Sequence, residues 1–359
     1  MNKFATLFTR NVKQAINEIE NIDLNQEEIP VKTSDLNLKL AKVRGEKVDI
    51  LEGSKILFSI FDNKRILRFD LENKMFKLIE FADFGNFEYN YIAQGSTFLN
   101  ILDGLLIVTG DNHDLFYYYS HSKHTMNKLA KLTDNHIFGT LIYVEASNSV
   151  ICLSGSRSKS VESYFNDDML SNFLKRKIRK IPSPNKNKNS WIRLPDLNEE
   201  RTNCPFIFLD TKYIYGFFGY DITNKRYLET IERLDLENLE KWEIINFKSD
   251  KNNSIFKKGH SIIKLTDTDL LLLGGYDGNS DSPCDNLCFF NMINSEYSTS
   301  DKRFPDVDTK KHYSFQKNSN SSPFIDINNK LHYAAIDEKN AIHIVEVKSL
   351  KYDLFIFFD

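Results

Sequence analysis

Leu270-Leu271-Leu272-Leu273-Gly274-Gly275-Tyr276-Asp277 is the stretch on which the fold turns. An apolar run ends in two glycines, then comes a polar loop and the alternating strand Asn286 to Phe290, with Tyr297 seven positions beyond Phe290. The same order of features stands upstream. Ile214-Tyr215-Gly216-Phe217-Phe218-Gly219-Tyr220-Asp221 leads to Glu232-Arg233-Leu234-Asp235 and Trp242. Earlier still, Val150-Ile151-Cys152-Leu153-Ser154-Gly155 leads to Val161-Glu162-Ser163-Tyr164 and, past an insertion, to Trp191. A fixed period of this kind is the signature of a repeat architecture.

Weaker copies extend both ways. Leu105-Leu106-Ile107-Val108-Thr109-Gly110-Asp111 keeps one glycine, with Tyr119 and Met126 seven apart. Ile56 to Ile60 lacks both glycines, yet Phe69-Asp70 and Phe76 keep the seven-residue step. Leu331 to Ala335 puts Ala334 and Ala335 at the glycine positions, and Val345 and Tyr352 keep the step. The anchors Phe76, Met126, Trp191, Trp242, Tyr297 and Tyr352 fall roughly 50 to 65 residues apart, close to the periods that mark propeller repeats. Short polar turns at Asp103-Gly104, Asp210-Thr211, Thr266-Asp267 and Asn328-Asn329 place a further strand before each glycine position. Each repeat therefore reads as four strands.

These residues resemble the kelch repeat: an apolar strand closed by a glycine pair, a Tyr-Asp type strand, and a Trp about seven residues on. Trp191-Ile192-Arg193-Leu194-Pro195, followed by Glu199-Glu200-Arg201, resembles the stretch that joins one kelch blade to the next. The resemblance implies an all-β fold, a six-bladed β-propeller with four-stranded antiparallel blades and a short N-terminal helix. Residues 1–45 are expected as helix and linker, and the blades near 46–82, 96–132, 138–197, 203–249, 258–303 and 320–359. Gly274 and Gly275 would let backbones approach where strands crowd near the axis. Trp191 and Trp242 would fill the wedge between blades.

Composition agrees with strands. The 28 Phe and 16 Tyr favour pleated, half-buried surfaces, and with 14 Gly and 8 Pro many turns fall to Asn, Asp, Ser and Lys. A net charge of −3 with interspersed signs gives no global pull towards nucleic acid or lipid. Cys152, Cys204, Cys284 and Cys288 are expected as buried free thiols of a reducing, cytoplasmic compartment, and a cytoskeletal association fits the same setting. No run approaches the roughly 20 apolar residues of a membrane span. Lys3, Arg10 and Lys13 lend the N-terminus a weak organelle-targeting look, but Glu18 and Glu20 enter the same helical pattern, so a retained helix is expected.

Two segments stand outside the repeat. Phe4, Leu7, Phe8, Val12, Ala15, Ile16 and Ile19 share one face of a helix over residues 2–22. The insertion 165–190 in the third repeat interleaves Lys175, Arg176, Lys177, Arg179 and Lys180 with Met169, Leu170, Phe173, Leu174, Ile178 and Ile181. Such a basic amphipathic helix suits an acidic protein partner, or nucleic acid or an anionic membrane. Contact with nucleic acid or an anionic membrane would arise through this insertion alone.

No catalytic set emerges, and no cofactor, metal or small-molecule substrate is expected. His121 and His124 are three apart with no carboxylate nearby. Loops after the second strand of a kelch blade usually carry the partner. By register these hold Arg157, Lys159, Tyr220, Asp221, Lys225, Arg226, Tyr276 and Asp277, and inter-blade loops add Glu199, Glu200, Arg201, Lys257 and Lys258. The expected function is a non-enzymatic scaffold or adaptor within a larger assembly. The competing reading is a propeller enzyme acting on a sugar-like ligand in the central channel.

Overall fold

The computed structural model divides the chain into two units, Met1–Ile50 and Leu51–Asp359. It describes residues within 56–84, 95–165, 190–249, 257–303 and 323–355, apart from short breaks at 61–63, 71–74, 102–103, 111–114, 145–146, 148, 211, 265–267, 274, 279–281, 284–285, 326–330, 337–341 and 347–350. The expected N-terminal helix and linker, and the basic insertion between Phe165 and Ser190, lie outside the described residues.

The described residues are all-β and almost without helix; Phe81–Asp83 forms a 3-10 turn. Their antiparallel sheets follow one another in chain order. The first holds Ile56–Ile60, Arg65–Asp70 and Met75–Glu80. The second holds Thr97–Ile101, Gly104–Val108, Phe116–Ser120 and Thr125–Lys128. The third is Thr140–Val144, Ser149–Gly155, Ser158–Phe165 and Ser190–Arg193. The fourth is Phe206–Leu209, Tyr213–Phe217, Ile231–Asp235 and Glu243–Ile245. Ser261–Lys264, Asp269–Leu273, Asn286–Asn291 and Glu296–Arg303 make the fifth, which Lys248–Ser249 extends as a parallel edge strand. The last consists of Pro323–Ile325, Leu331–Ile336, Ile342–Glu346 and Lys351–Phe355. None of these sheets closes on itself among the described residues.

Continuous apolar strands arise because both faces of the inner sheets are covered. On the second strand of the second sheet, Leu105 and Ile107 pack with Ile66 and Ile79 of the first sheet. Leu106 and Val108, pointing the other way, pack with Leu141, Val150, Cys152 and Trp191 of the third. Ile151 and Leu153 then meet Ile214, Leu234 and Trp242, and Phe217 meets Leu270, Leu272 and Phe290. Side chains that alternate across a strand thus serve two neighbours in turn. Cys152, Cys204 and Cys288 are buried within this packing and form no disulfide, Cys284 lies outside the described residues, and burial pushes the Cys204 thiol up to about 12.

The seven-residue step of the sequence is a cross-strand pair. Phe69 faces Phe76, Tyr119 faces Met126, Phe290 faces Tyr297, and Val345 faces Tyr352. Tyr164 faces Trp191 in the same register, although the insertion separates them in sequence.

A second regularity joins the sheets through backbone alone. Gly95, Phe138, Asn203 and Gly259 each stand just ahead of a first strand, all at left-handed φ of 85°, 59°, 50° and 68°. The Phe138 N–H donates to the Gly95 carbonyl (2.8 Å), Asn203 to Phe138 (3.0 Å), and Gly259 to Asn203 (2.7 Å). Equivalent positions are linked head to tail. The return stitch runs forward: Gly155 N–H donates to Arg201 O, and Gly219 N–H to Lys257 O. At Gly219, with φ of 104°, an added Cβ would stand 2.9 Å from the Cys204 Cβ and 3.1 Å from the Thr202 carbonyl oxygen, so a side chain there would force neighbours apart.

Candidate partner-binding site

Between the fourth and third sheets the linker 195–203 is locked down by buried charge. Glu232, on the third strand of the fourth sheet, is fully buried. It accepts the N–H groups of Asn198 (2.8 Å) and Glu199 (3.2 Å) and the Nε and Nη2 of Arg201 (2.9 and 2.7 Å). Arg201, itself fully buried, also donates to the carbonyls of Phe218 (2.8 Å) and Thr230 (2.9 Å) and to Thr230 Oγ1 (2.6 Å). Pairing with hydrogen bonds on every donor is the condition under which such charges are tolerated in a protein interior. Trp242 adds Nε1–H to the carbonyl of Pro195 at 2.9 Å.

The third sheet repeats the arrangement with a different cation. Glu162 accepts the N–H groups of Thr133 (3.1 Å) and Asp134 (3.2 Å), the Thr133 hydroxyl, and Nε2 of His136 at 3.1 Å. His136 Nδ1 lies 2.6 Å from the Ser154 carbonyl. Both ring nitrogens face acceptors, so both carry protons and the ring is a cation. Burial opposes that charge, but the Cys152 sulfur, Glu162 and the Ser154 carbonyl outweigh it and hold the imidazole up at about 10. Trp191 Nε1–H donates to the Ala130 carbonyl at 2.9 Å, as Trp242 does to Pro195.

On this foundation stand the exposed turns. Glu200, buried, accepts the Arg157 N–H at 2.7 Å through one oxygen and the Thr223 hydroxyl at 2.6 Å through the other. One carboxylate therefore ties the turn 155–158 to the turn 221–226. Glu199 accepts Arg226 at 2.7 Å and the Thr230 hydroxyl. Burial alone would raise its carboxyl; Thr230, Arg226 and Arg201 together hold it below the usual range. Asp221, 3% exposed, accepts Asn224 N and Nδ2 at 2.9 and 2.8 Å and stands 3.6 Å from Arg226. These bonds keep its carboxyl low despite the opposing effect of burial.

Beside these turns, Lys258 Nζ lies over three tyrosine rings: Tyr220 at 4.7 Å, Tyr227 at 4.9 Å and Tyr276 at 5.4 Å. Tyr220 and Tyr227 are edge-to-face at 5.2 Å, on the ribbon Tyr220–Asp221 with Arg226–Tyr227. Lys257–Lys258 pairs with Tyr276–Asp277, so the ring faces meet from two neighbouring repeats. A cation over aromatic faces is attracted by their quadrupoles.

The sequence-read residues thus fall into distinct groups. Tyr220 and Tyr276 come together around Lys258, while Arg157, Lys159 and Arg226 are exposed on adjacent turns. Lys159 Nζ donates to Asn198 O at 2.6 Å. Asp221, Glu200 and Arg201 are buried and hold the turns from beneath. Asp277 is half-buried opposite Lys257. Trp191 and Trp242 are buried between sheets, and an added Cβ on Gly275 would stand 2.6 Å from Lys258 O. Gly274 and the five insertion residues Lys175, Arg176, Lys177, Arg179 and Lys180 lie outside the described residues. The sequence marked Lys258 as a loop residue but not its place over the tyrosine rings, and it gave no role to Tyr227, His136 or the two strand glutamates. Glu162 and Glu232 carried a usable signal, since each follows a β-branched apolar residue and stands two positions before a fully buried one on the same strand, Tyr164 and Leu234.

His121 and His124 sit in one turn with rings 5.4 Å apart, and His121 Nδ1 lies 3.3 Å from the Tyr119 hydroxyl. Among the described residues no group of three or more His, Cys, Asp and Glu side chains is arranged to hold a metal ion. No helix among them is long and apolar enough to cross a membrane. No protein-family model matches this chain, and no curated protein matches it.

Proposed function

We propose that the chain is a six-bladed kelch-type propeller that serves as a non-enzymatic scaffold, holding a protein partner on the turns of its third to fifth repeats. Support for the blade reading comes from the succession of mostly four-stranded sheets, the pairing that underlies the seven-residue step, and the head-to-tail backbone links. The single observation that carries the functional reading is the division of labour at the turns. The buried carboxylates Glu200, Asp221 and Glu232 and the half-buried Glu199 fix the turns, so that Arg157, Tyr220, Tyr227 and Arg226 are presented with little freedom left to lose on binding. Tyr and Arg are also the residue types that most often dominate interface energy. The insertion 165–190 and the N-terminal helix are the remaining candidates for a second contact.

The test is affinity purification of the full chain beside Tyr220→Ala/Tyr276→Ala and a version lacking 168–189. Partners recovered with the full chain and lost with the tyrosine pair support the scaffold reading. Recovery of no stoichiometric partner by any version counts against it.

A further inference from the structure

Charge on these turns is sorted by depth. Of the carboxylates in the segments 155–159, 195–203 and 219–230, Glu199, Glu200 and Asp221 are committed to the internal bonds described above. Asp196, exposed, is bonded to Arg193 at 3.0 Å, which leaves Glu229 as the exposed acid with no such bond among the described residues. The cations lie on the outside. Arg157, Lys159, Lys225 and Arg226 are all exposed, with Arg226 also paired to Glu199 at 2.7 Å and Lys159 also donating to Asn198 O at 2.6 Å.

Arg157 and Lys225 also occupy left-handed backbone positions, at φ of 56° and 51°, at the tips of their turns. An L-residue there is costlier than glycine or asparagine, yet both sites carry a long cationic side chain. Because Glu200 ties turn 155–158 to Thr223, the two tips are neighbours held in fixed relation. The three segments carry as many acids as bases, and the positive excess lies in their exposed layer, where Arg157, Lys159, Lys225 and Arg226 stand against Asp196 and Glu229.

We infer that this surface, built from Arg157, Lys159, Lys225 and Arg226, is the docking site for an acidic segment of a partner protein, carboxylates meeting the turn-tip cations. The inference rests on the scaffold reading and names the chemistry of its partner. Charge complementarity selects the occupant: a basic segment would meet four exposed cations, and like charges brought together oppose association. The tyrosines at 220, 227 and 276 border the same turns and offer apolar ring surface next to the cations.

The probe is a fluorescein-labelled heptaglutamate peptide, with heptalysine as its opposite, titrated by anisotropy against the full chain at low salt. Heptaglutamate is expected to bind and heptalysine not, with affinity falling as salt rises. Arg157→Glu/Lys225→Glu is expected to weaken heptaglutamate roughly tenfold or more, since two attractions become repulsions. Lys241→Glu, an exposed lysine beside the outermost strand of the fourth sheet, serves as the control and is expected to change it less than about twofold. Thermal unfolding of each variant establishes that the turns are still folded. No binding of heptaglutamate, or equal weakening by Lys241→Glu, overturns the proposal. If partners in the affinity purification depend on Tyr220 and Tyr276 but heptaglutamate ignores the turn-tip reversal, the acidic chemistry fails while the scaffold reading stands. If no partner is recovered at all, the scaffold reading itself fails.

Discussion

The third and fourth sheets solve one problem with different residues. In each, a buried strand glutamate grips two successive N–H groups of the incoming linker, and a buried cation three residues on completes the clip. The cation is Arg201 in one and His136 in the other. Arg201 spreads its fork over two carboxylates, two carbonyls and a hydroxyl, whereas His136 makes two bonds among the described residues. What the repeat preserves is the position and sign of a charge. The side chain that bears it is free to change.

Removing the fork is the harshest way to break the comparison. Arg201→Met strands Glu232 as an uncompensated buried charge, and denaturant unfolding is expected to report a loss of about 3–5 kcal/mol. His136→Gln is expected to cost about 2–3 kcal/mol, because the smaller clip loses a charged hydrogen bond to Glu162 and one to Ser154 O.

The pH profile separates the two clips further. His136 has its folded pKa raised to about 10 from an ordinary value of about 6.5. Its contribution is therefore complete below about pH 6.5 and fades as pH rises through about 10. Arg201 stays charged across that interval. Urea unfolding followed over this range should show a falling stability that His136→Gln flattens and Arg201→Met leaves in place.

Smaller changes sharpen the picture. Trp191→Phe and Trp242→Phe should each cost about 1–2 kcal/mol, since each loses a matched indole bond to a linker carbonyl and part of a buried ring. A close match between the two losses would indicate equivalent anchors. Ser154 and Phe218 stand at the first-glycine position with φ of 59° and 55°. Ser154→Gly is expected to raise stability by up to about 1 kcal/mol, because the backbone strain is relieved and a buried hydroxyl with no bond among the described residues is removed. Phe218→Gly, by contrast, is expected to destabilise, because its ring contacts Phe217, Phe247, His260 and Tyr297.

These two positions also mark how far the sequence could be read. The repeat was legible because apolar runs, tryptophans and aromatic anchors keep their spacing. The glycine count was a poorer guide: Ser154 and Phe218 adopt the left-handed backbone that a glycine would take more cheaply, and surrounding bonds and packing enforce it. Arg201 and Glu200 read as exposed loop chemistry because charged residues in a polar linker resemble surface. Their burial depends on Glu232 and Thr223, which lie more than twenty residues further along the chain. Tyr220 and Tyr276 were visible from their place after a glycine, but the lysine between them belongs to a different strand, and strand pairing across repeats is not written in local pattern.

The backbone links from Gly259 to Asn203, Phe138 and Gly95 carry a consequence for how the number of units is decided. Donor and acceptor occupy the same position in successive repeats, so the contact is heterologous, the intrachain counterpart of head-to-tail subunit association. Such a contact has no built-in end: it yields a ring when the rotation per step divides a full turn, and an open spiral when it does not. The link itself is indifferent to count. The bulk of the side chains packed between neighbouring sheets, in clusters such as those of Leu105 and Phe290, is what would set the angle of each step. Bulk added or removed in one wedge would therefore change the angle first, and through it the number of repeats that can be accommodated.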